Sequence, residues 1–396
     1  MLLGGKTVFP ITLSGGPPLG KPDPVSGLDG WTEVARAGVH MLRVYPRWTA
    51  ATAAQQIQGL TQHELPAAAA HGLWLWVGLF DVADDLTRQA LLGEIVDGLK
   101  DSPGLGAWKG ADEPLWGGRD SGKLAAAYEF VHSRDPLHPV VIVQAPKARK
   151  GQAPPKAPNG QLTAELLEAY AAAGDIHAVD IYPVSYPPGV HAGRSNTTLS
   201  VVGDVTELIV RSAPGKEHWT TLQIAWSGIL PPKPPIFPTL REERFMAYQA
   251  IVAGARGLVF FGGDIVRVMR PADEAVGWNW TFWHTVLKPL VQELGSTAVG
   301  PALLAPNASV TVKANKSDVA LVARSSGGFL YVIAVRRSPM ENGPVRFTGL
   351  PAAIKTGQAL FEYDDQQFRT VDVSAGTFTD PFGPFDARVY RFRVAD

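Results

Sequence analysis

Between about residue 7 and residue 300 the chain alternates short β-branched or aromatic runs with longer Ala/Leu-rich runs of helical period, eight times over. Period-two apolar runs form buried strands and runs of period 3.6 form one-sided helices, so this texture predicts parallel strands joined by crossover helices. The expected strands are Val8 to Ser14, His40 to Tyr45, Trp74 to Phe80, Gly106 to Ala111, Pro139 to Gln144, Ala178 to Pro183, Trp219 to Ala225 and Gly257 to Gly262. Expected helices include Gln55 to His71, Leu86 to Lys100, Ser121 to His132, Thr163 to Ala173, Ser200 to Arg211, Leu240 to Ala255 and Phe282 to Leu294. Eight such units close into a (β/α)8 TIM barrel. An open doubly wound sheet would carry a Gly-X-Gly-X-X-Gly turn after its first strand, and none follows Ser14.

After residue 300 helical period disappears. Short alternating runs at Val310 to Val312, Val319 to Ala323, Phe329 to Val335, Val345 to Phe347, Gln358 to Leu360, Phe368 to Val371 and Val389 to Phe392 predict an antiparallel β-sandwich. Ser325-Ser326-Gly327-Gly328 and Glu341-Asn342-Gly343 are its expected hairpin turns. With 396 residues the chain exceeds one domain of ordinary size, and it divides into a barrel over 1–300 and a sandwich over 301–396.

Composition narrows the chemistry. There is no cysteine, which removes thiol catalysis, disulfides and Cys-based metal sites. No His-X-His or His-Glu-X-X-His pair stands at a strand end, so neither a metal nor any other cofactor is expected. Net charge is −1 and the 36 basic residues are scattered apart from Lys147, Arg149 and Lys150, which is no nucleic-acid footprint. No apolar run is long enough to span a membrane. A neutral partner is expected: an oligo- or polysaccharide, or a small glycoside. The first residues show no signal peptide; a secreted or periplasmic bacterial setting with a leader removed is the expectation, and a cytoplasmic one stays open.

In a barrel of this kind chemistry collects at the carboxyl ends of the strands. Strand two ends in Arg43, Tyr45 and Trp48, strand three in Asp81, strand four in Asp112 and Glu113, and strand five in Gln144. Strand six supplies Asp180 and Tyr182, strand seven Gln223 and Trp226, and strand eight Phe261 and Asp264, with Trp278 and Trp280 shortly after. Pro114 cannot continue a ladder and favours an extended Glu113, so strand four stops there, with Trp108 and Trp116 flanking the acids. Eleven tryptophans, several near strand ends, suit a saccharide, whose C–H faces stack on rings while its hydroxyls bond to acids. Cleaving an acetal needs an acid on the leaving oxygen and a second group at the anomeric carbon. Glu113 is the expected acid, its pKa raised by desolvation and by the neighbouring carboxylate.

On these residues the chain resembles the clan A (β/α)8 retaining glycoside hydrolases: Arg43 after strand two, Glu113-Pro114 after strand four, Tyr182 after strand six and aromatic residues after strand eight. The resemblance implies an O-glycosyl hydrolase with Glu113 as general acid/base. It also implies a Glu nucleophile after strand seven, where this chain has Gln223, and an amide cannot serve. Four readings stay open. Gln223 can be an engineered replacement; the reaction can be inverting, with Asp180 or Asp264 as base; the chain can be a non-catalytic carbohydrate-binding barrel. In the fourth, the Asp-Glu-Pro sequence is similar to the pair of substrate-assisted β-N-acetylhexosaminidases, with Asp112 steadying an oxazolinium ion. His177 and His218, at strand starts, are expected to be structural, and His284 to lie on a helix face; His191 is left open.

Overall fold

The computed structural model describes residues 1–149, 160–224, 236–262, 268–361 and 368–394. Eight parallel strands close a barrel: β1 (Ile11–Ser14), β2 (Met41–Val44), β3 (Trp74–Gly78), β4 (Leu105–Asp112), β5 (Val140–Gln144), β6 (Ile176–Asp180), β7 (Glu217–Gln223) and β8 (Gly257–Phe261), with β8 paired to β1. Every expected barrel strand is present.

The helices follow the expected pattern with local departures; Thr163 to Ala173, for one, is a short helix, Ala164–Glu168, and a separate 3-10 turn, Ala171–Ala173. Gly30–Ala37, between β1 and β2, was not anticipated; it is only 8 residues long, and Asp29 starts it by accepting from the Trp31 and Thr32 amides. The long helix after β2 runs Ala53–Gly59, widens to a π turn at Leu60–Glu64 and resumes at Leu65–His71. Pro66 has no N–H to give to the preceding turn, and the widened turn absorbs that loss.

Lumen-facing side chains from alternate positions pack as one inner cluster that includes Met41, Trp76, Ala107, Val141, Ala178, Trp219 and Val259. Trp76 and Trp219 meet edge to face, 6.0 Å between centroids, and fill the barrel below the carboxyl ends of its strands. His177 and His218 lie low in the wall in register with each other, and burial pushes each pKa down to about 4.

The carboxyl-terminal region is a β-sandwich. One sheet orders β9 (Lys313–Ala314), β12 (Gly343–Thr348) and β15 (Thr377–Phe382); the other orders β10 (Val319–Ser326), β11 (Phe329–Arg336), β16 (Ala387–Arg393), β13 (Thr356–Leu360) and β14 (Phe368–Asp372). The Gly327-Gly328 turn is a two-residue hairpin, both glycines at positive φ (57° and 75°), as its sequence implies. Glu341-Asn342-Gly343 is instead a crossover between sheets, because β11 and β12 belong to different ones. Val310 to Val312 is not a strand; pairing begins at Lys313. β15 was hidden by Asp380 and Pro381, which interrupt its alternation; Asp380 is buried because Arg369 and the Tyr390 hydroxyl bond to it at 2.7 and 2.6 Å.

Barrel and sandwich are fastened by buried guanidinium groups. Arg244, on the helix Leu240–Val252, pairs with Glu293 at 2.7 Å and donates to the Ala387 carbonyl at 2.6 Å, while Arg324 donates to the Ala302 and Leu303 carbonyls at 3.1 and 3.0 Å. On the same helix Glu243 is fully buried, and among the described residues neither carboxyl oxygen has a hydrogen-bond partner. Burial, with the charge of Glu242, pushes its pKa well above the ordinary value. The folded chain therefore keeps a proton there that the unfolded chain releases, so this group's stability contribution is complete in acid and lost as pH rises. Glu243→Met should stabilise the protein by roughly 1–3 kcal/mol, with a larger gain in thermal unfolding midpoint at pH 8 than at pH 5.

Candidate functional site

The site is built on an irregularity in β4. Lys109 pairs with Val141 and Asp112 with Val143, so three steps along β4 match two along β5. That one extra residue is a bulge. Strict alternation would send Lys109 and Asp112 to opposite faces; the bulge brings both into the lumen. It also leaves carbonyls without ladder partners, and the Lys109 ammonium takes them, donating to Ala111 O at 2.9 Å and lying 3.4 Å from Gly110 O. Its remaining contact is an ion pair with Asp112 Oδ1 at 2.8 Å. Lys109 has no exposed surface, so these three oxygens replace its water shell.

Glu113 comes next and turns the chain. Its N–H still joins the ladder, 2.7 Å from Val143 O, while Pro114 already opens the helix Pro114–Gly117. The reversal happens at one residue, which puts Glu113 at φ 45°, ψ 47°. The extended conformation expected before proline is thus replaced by a left-handed one, at a cost of about 1–3 kcal/mol, a strain that concentrates at functional sites. Gln144, fully buried, supports the turn by accepting from the Leu115 amide at 3.2 Å.

Glu113 and Asp112 open into a cavity of about 130 Å³ whose other walls are Arg43, Val143, Asp180, Tyr182, His191, Thr221 and Phe261. A larger hollow of about 400 Å³ lies between barrel and sandwich, but its one carboxylate, Glu242, is engaged in capping the helix Leu240–Val252. The rings form a ladder: Tyr182 stacks between His191 (4.4 Å) and Phe261 (5.5 Å), and the Arg43 guanidinium lies 4.3 Å from the Tyr45 ring and 5.3 Å from that of Trp76. The Tyr45 hydroxyl bonds to Ser14, and its ring stacks on Phe80.

The carboxyls in this cavity differ in proton affinity. Burial works against ionisation of Asp112, but Lys109 and Arg43 outweigh it and hold the carboxyl below its ordinary pKa. Glu113 is raised, by burial first and the Asp112 charge second. Asp180, only 5% exposed, is raised well above the usual range by burial and by Glu113. Glu113 and Asp180 lie within hydrogen-bond reach, a contact two carboxyls can make only when one is protonated. His191 Nδ1 accepts from the Tyr182 amide at 3.0 Å, so the neutral ring carries its proton on Nε2, which faces Asp180 at 3.9 Å. Burial pushes His191 down to about 3. Glu113, Asp180 and His191 place ligand atoms within 4.8 Å of one another, yet a protonated Nε2 is a donor, not a metal ligand.

Gln223 is fully buried and bound through both amide atoms: Oε1 accepts from the Val184 N–H at 2.8 Å and Nε2 donates to the Val184 carbonyl at 2.6 Å. A carboxylate could not satisfy both. The residue clamps the loop after β6 and is not among the cavity walls.

Other expected site residues do not reach the cavity. Trp48 is buried and donates to Gly78 O at 2.6 Å; Trp278 donates to Gly15 O at 3.0 Å and packs edge to face with buried Trp280. Asp81 is exposed and pairs with Arg88 at 2.7 Å. Trp108 points outward and donates to Asp135 at 2.8 Å, whereas Trp116, half-buried, has the Lys147 ammonium 5.4 Å from its ring. Trp226 and Asp264 lie outside the described residues. His284 binds Asp23 at 2.8 Å. Lys109 and Thr221 were missed, and His191 had been left open. A lysine inside an apolar strand three residues before an aspartate is the signal that could have found the first.

The chain matches no protein-family profile and no curated protein sequence. Its fold is similar to that of several solved structures. A GH30 endoxylanase from Clostridium papyrosolvens aligns over 98% of this chain and 97% of its own, with 10% identity and a TM-score of 0.55. An α-L-arabinofuranosidase from Thermotoga maritima aligns over 98% and 96%, with 10% identity and a TM-score of 0.52. Amy13B from Eubacterium rectale aligns over 98% and 96%, with 9% identity and a TM-score of 0.56.

Two outcomes follow from the site. Lys109→Met removes the cation beneath Asp112, and the Asp112 carboxyl should then titrate at least about one unit higher, read by ¹³C NMR of Asp-labelled protein. Gln223→Glu sets a carboxylate against the Val184 carbonyl; it should cost roughly 1–3 kcal/mol of stability and should produce no new hydrolytic activity in a glycoside assay.

Proposed function

We propose that the protein is a glycoside hydrolase acting on a neutral O-glycoside, with Glu113 as general acid/base and Asp112 as a fixed negative charge. The observation that carries this reading is the split between adjacent carboxyls: Lys109 and Arg43 draw the Asp112 pKa below its ordinary value, while burial and the Asp112 charge push that of Glu113 above it. Carboxyls pushed apart in this way take different catalytic roles. The barrels it resembles in fold include enzymes named as xylanase and arabinofuranosidase, which agrees with a saccharide substrate.

The geometry favours substrate assistance among the open routes. Gln223 is excluded as nucleophile by its clamp on Val184. Asp180 is poorly placed as a base for water, since its carboxyl lies within 4.8 Å of Glu113, not about 6.5–9.5 Å across a water-sized gap. A 2-acetamido sugar brings its own nucleophile: the acetamido carbonyl oxygen bonds to the anomeric carbon as the glycosidic C–O bond breaks. Glu113 gives its proton to the departing oxygen, and Asp112 faces the positive oxazolinium. Glu113, now a carboxylate, takes a proton from the water that opens the ring, which restores the starting state. The contact with Asp180 works in the opposite sense, drawing the Glu113 pKa back down while raising that of Asp180.

Glu113→Gln should lower kcat by about 10²–10⁴-fold, most on poor leaving groups and least on 4-nitrophenyl glycosides, and should abolish the alkaline limb of the pH profile. A 4-nitrophenyl panel with and without 2-acetamido groups tests the reading. Turnover confined to the 2-acetamido members is expected; inertness of the whole panel, including natural disaccharides, sinks it.

A further inference from the structure

Three residues that line the cavity carry buried polar atoms that the chemistry above does not use. Among the described residues Arg43 Nε, Thr221 Oγ1 and Asp180 Oδ1 have no hydrogen-bond partner. All three residues line the cavity, and their exposures are 8%, 4% and 5%. Asp180 and Thr221 are register partners on β6 and β7, so their side chains stand together on the lumen face. Arg43 is fixed over the Tyr45 and Trp76 rings.

Orphaned groups this deep cost stability unless something binds them. Their inventory is specific: the guanidinium Nε–H and the threonine hydroxyl can donate, and the Asp180 oxygen can accept. A hydroxyl group offers the complement, one O–H to give and two lone pairs to receive. We propose that Arg43, Thr221 and Asp180 form a subsite for a single sugar hydroxyl, so that the ligand is a monosaccharide unit seated end-on with one ring hydroxyl among them. This deepens the glycosidase reading and rests on it for the ligand class, but hydroxyl capture does not require catalysis.

Calorimetric binding of glucose, galactose, N-acetylglucosamine, N-acetylgalactosamine and their 3-, 4- and 6-deoxy analogues tests the subsite in the unaltered protein and in Thr221→Val and Thr221→Ser. One sugar should bind, and one of its deoxy analogues should bind about 10–100-fold more weakly. Thr221→Val should weaken the parent sugar about tenfold or more while changing that deoxy analogue by less than about twofold, and Thr221→Ser should retain the parent affinity. Equal binding of all deoxy analogues, an equal effect of Thr221→Val on every ligand, or no binding of any of the sugars overturns the subsite. Turnover of the 4-nitrophenyl panel is read separately, so loss of the subsite is distinguishable from loss of the glycosidase reading.

Discussion

A lysine ammonium with no exposed surface, three residues before an aspartate, sets the terms on which the barrel mouth is organised. Its burial is tolerable only because the bulge in β4 turns the Gly110 and Ala111 carbonyls and the Asp112 carboxylate toward it. The dependence runs both ways. Without the ammonium, the bulge would leave carbonyls unpaired in the lumen, and Asp112 would stand beside Glu113 and Asp180 as a third uncompensated acid. Backbone irregularity, buried cation and acid pair are therefore one unit, and removing any of them exposes the cost of the others.

From that unit the proton affinities follow in order of depth. Asp112, nearest the cation and half exposed, ionises readily; Glu113, one residue on, feels Asp112 as a like charge and loses solvent as well. Asp180, deeper and opposed by both carboxyls, is the most reluctant to ionise. His191 adds no charge, since burial keeps it neutral and the Tyr182 amide fixes its tautomer. Three acids in one cavity thus hold three different positions.

The fold was legible because strand and helix periods differ, and because a closed barrel is the economical way to bury eight parallel strands. The acid pair was legible because Pro114 marks where a strand must end. What the sequence concealed was direction. Trp108, Trp48, Trp278 and Trp280 read as sugar platforms from their positions near strand ends, yet each is buried in packing, and Trp108 faces outward by strand parity. Parity is also what a bulge changes, so Lys109 and Asp112, an odd and an even position, could not be placed on one face from spacing alone. Glu113 departs from the extended conformation that Pro114 favours because strand pairing persists to the residue at which the helix begins.

Gln223 decides how far the resemblance to retaining glycosidases carries. Had the position been shaped for a carboxylate, its neighbours would be donors; instead one is an amide N–H and the other a carbonyl, both from Val184. A carboxylate there would face the carbonyl lone pairs in a fully buried setting, which argues that the amide is the residue the fold was built around, not a replacement. The loop it holds carries His191 back over Tyr182 and Asp180. At this point of the barrel the side chain is a brace, and the brace shapes the wall of the cavity. The second group of the proposed reaction then comes from elsewhere, and among the described residues the cavity carboxyl whose pKa is lowered is Asp112. Lying beside Glu113 rather than opposite it, Asp112 suits the role proposed for it, steadying a cation that a substrate would form within itself, better than attack on an anomeric carbon.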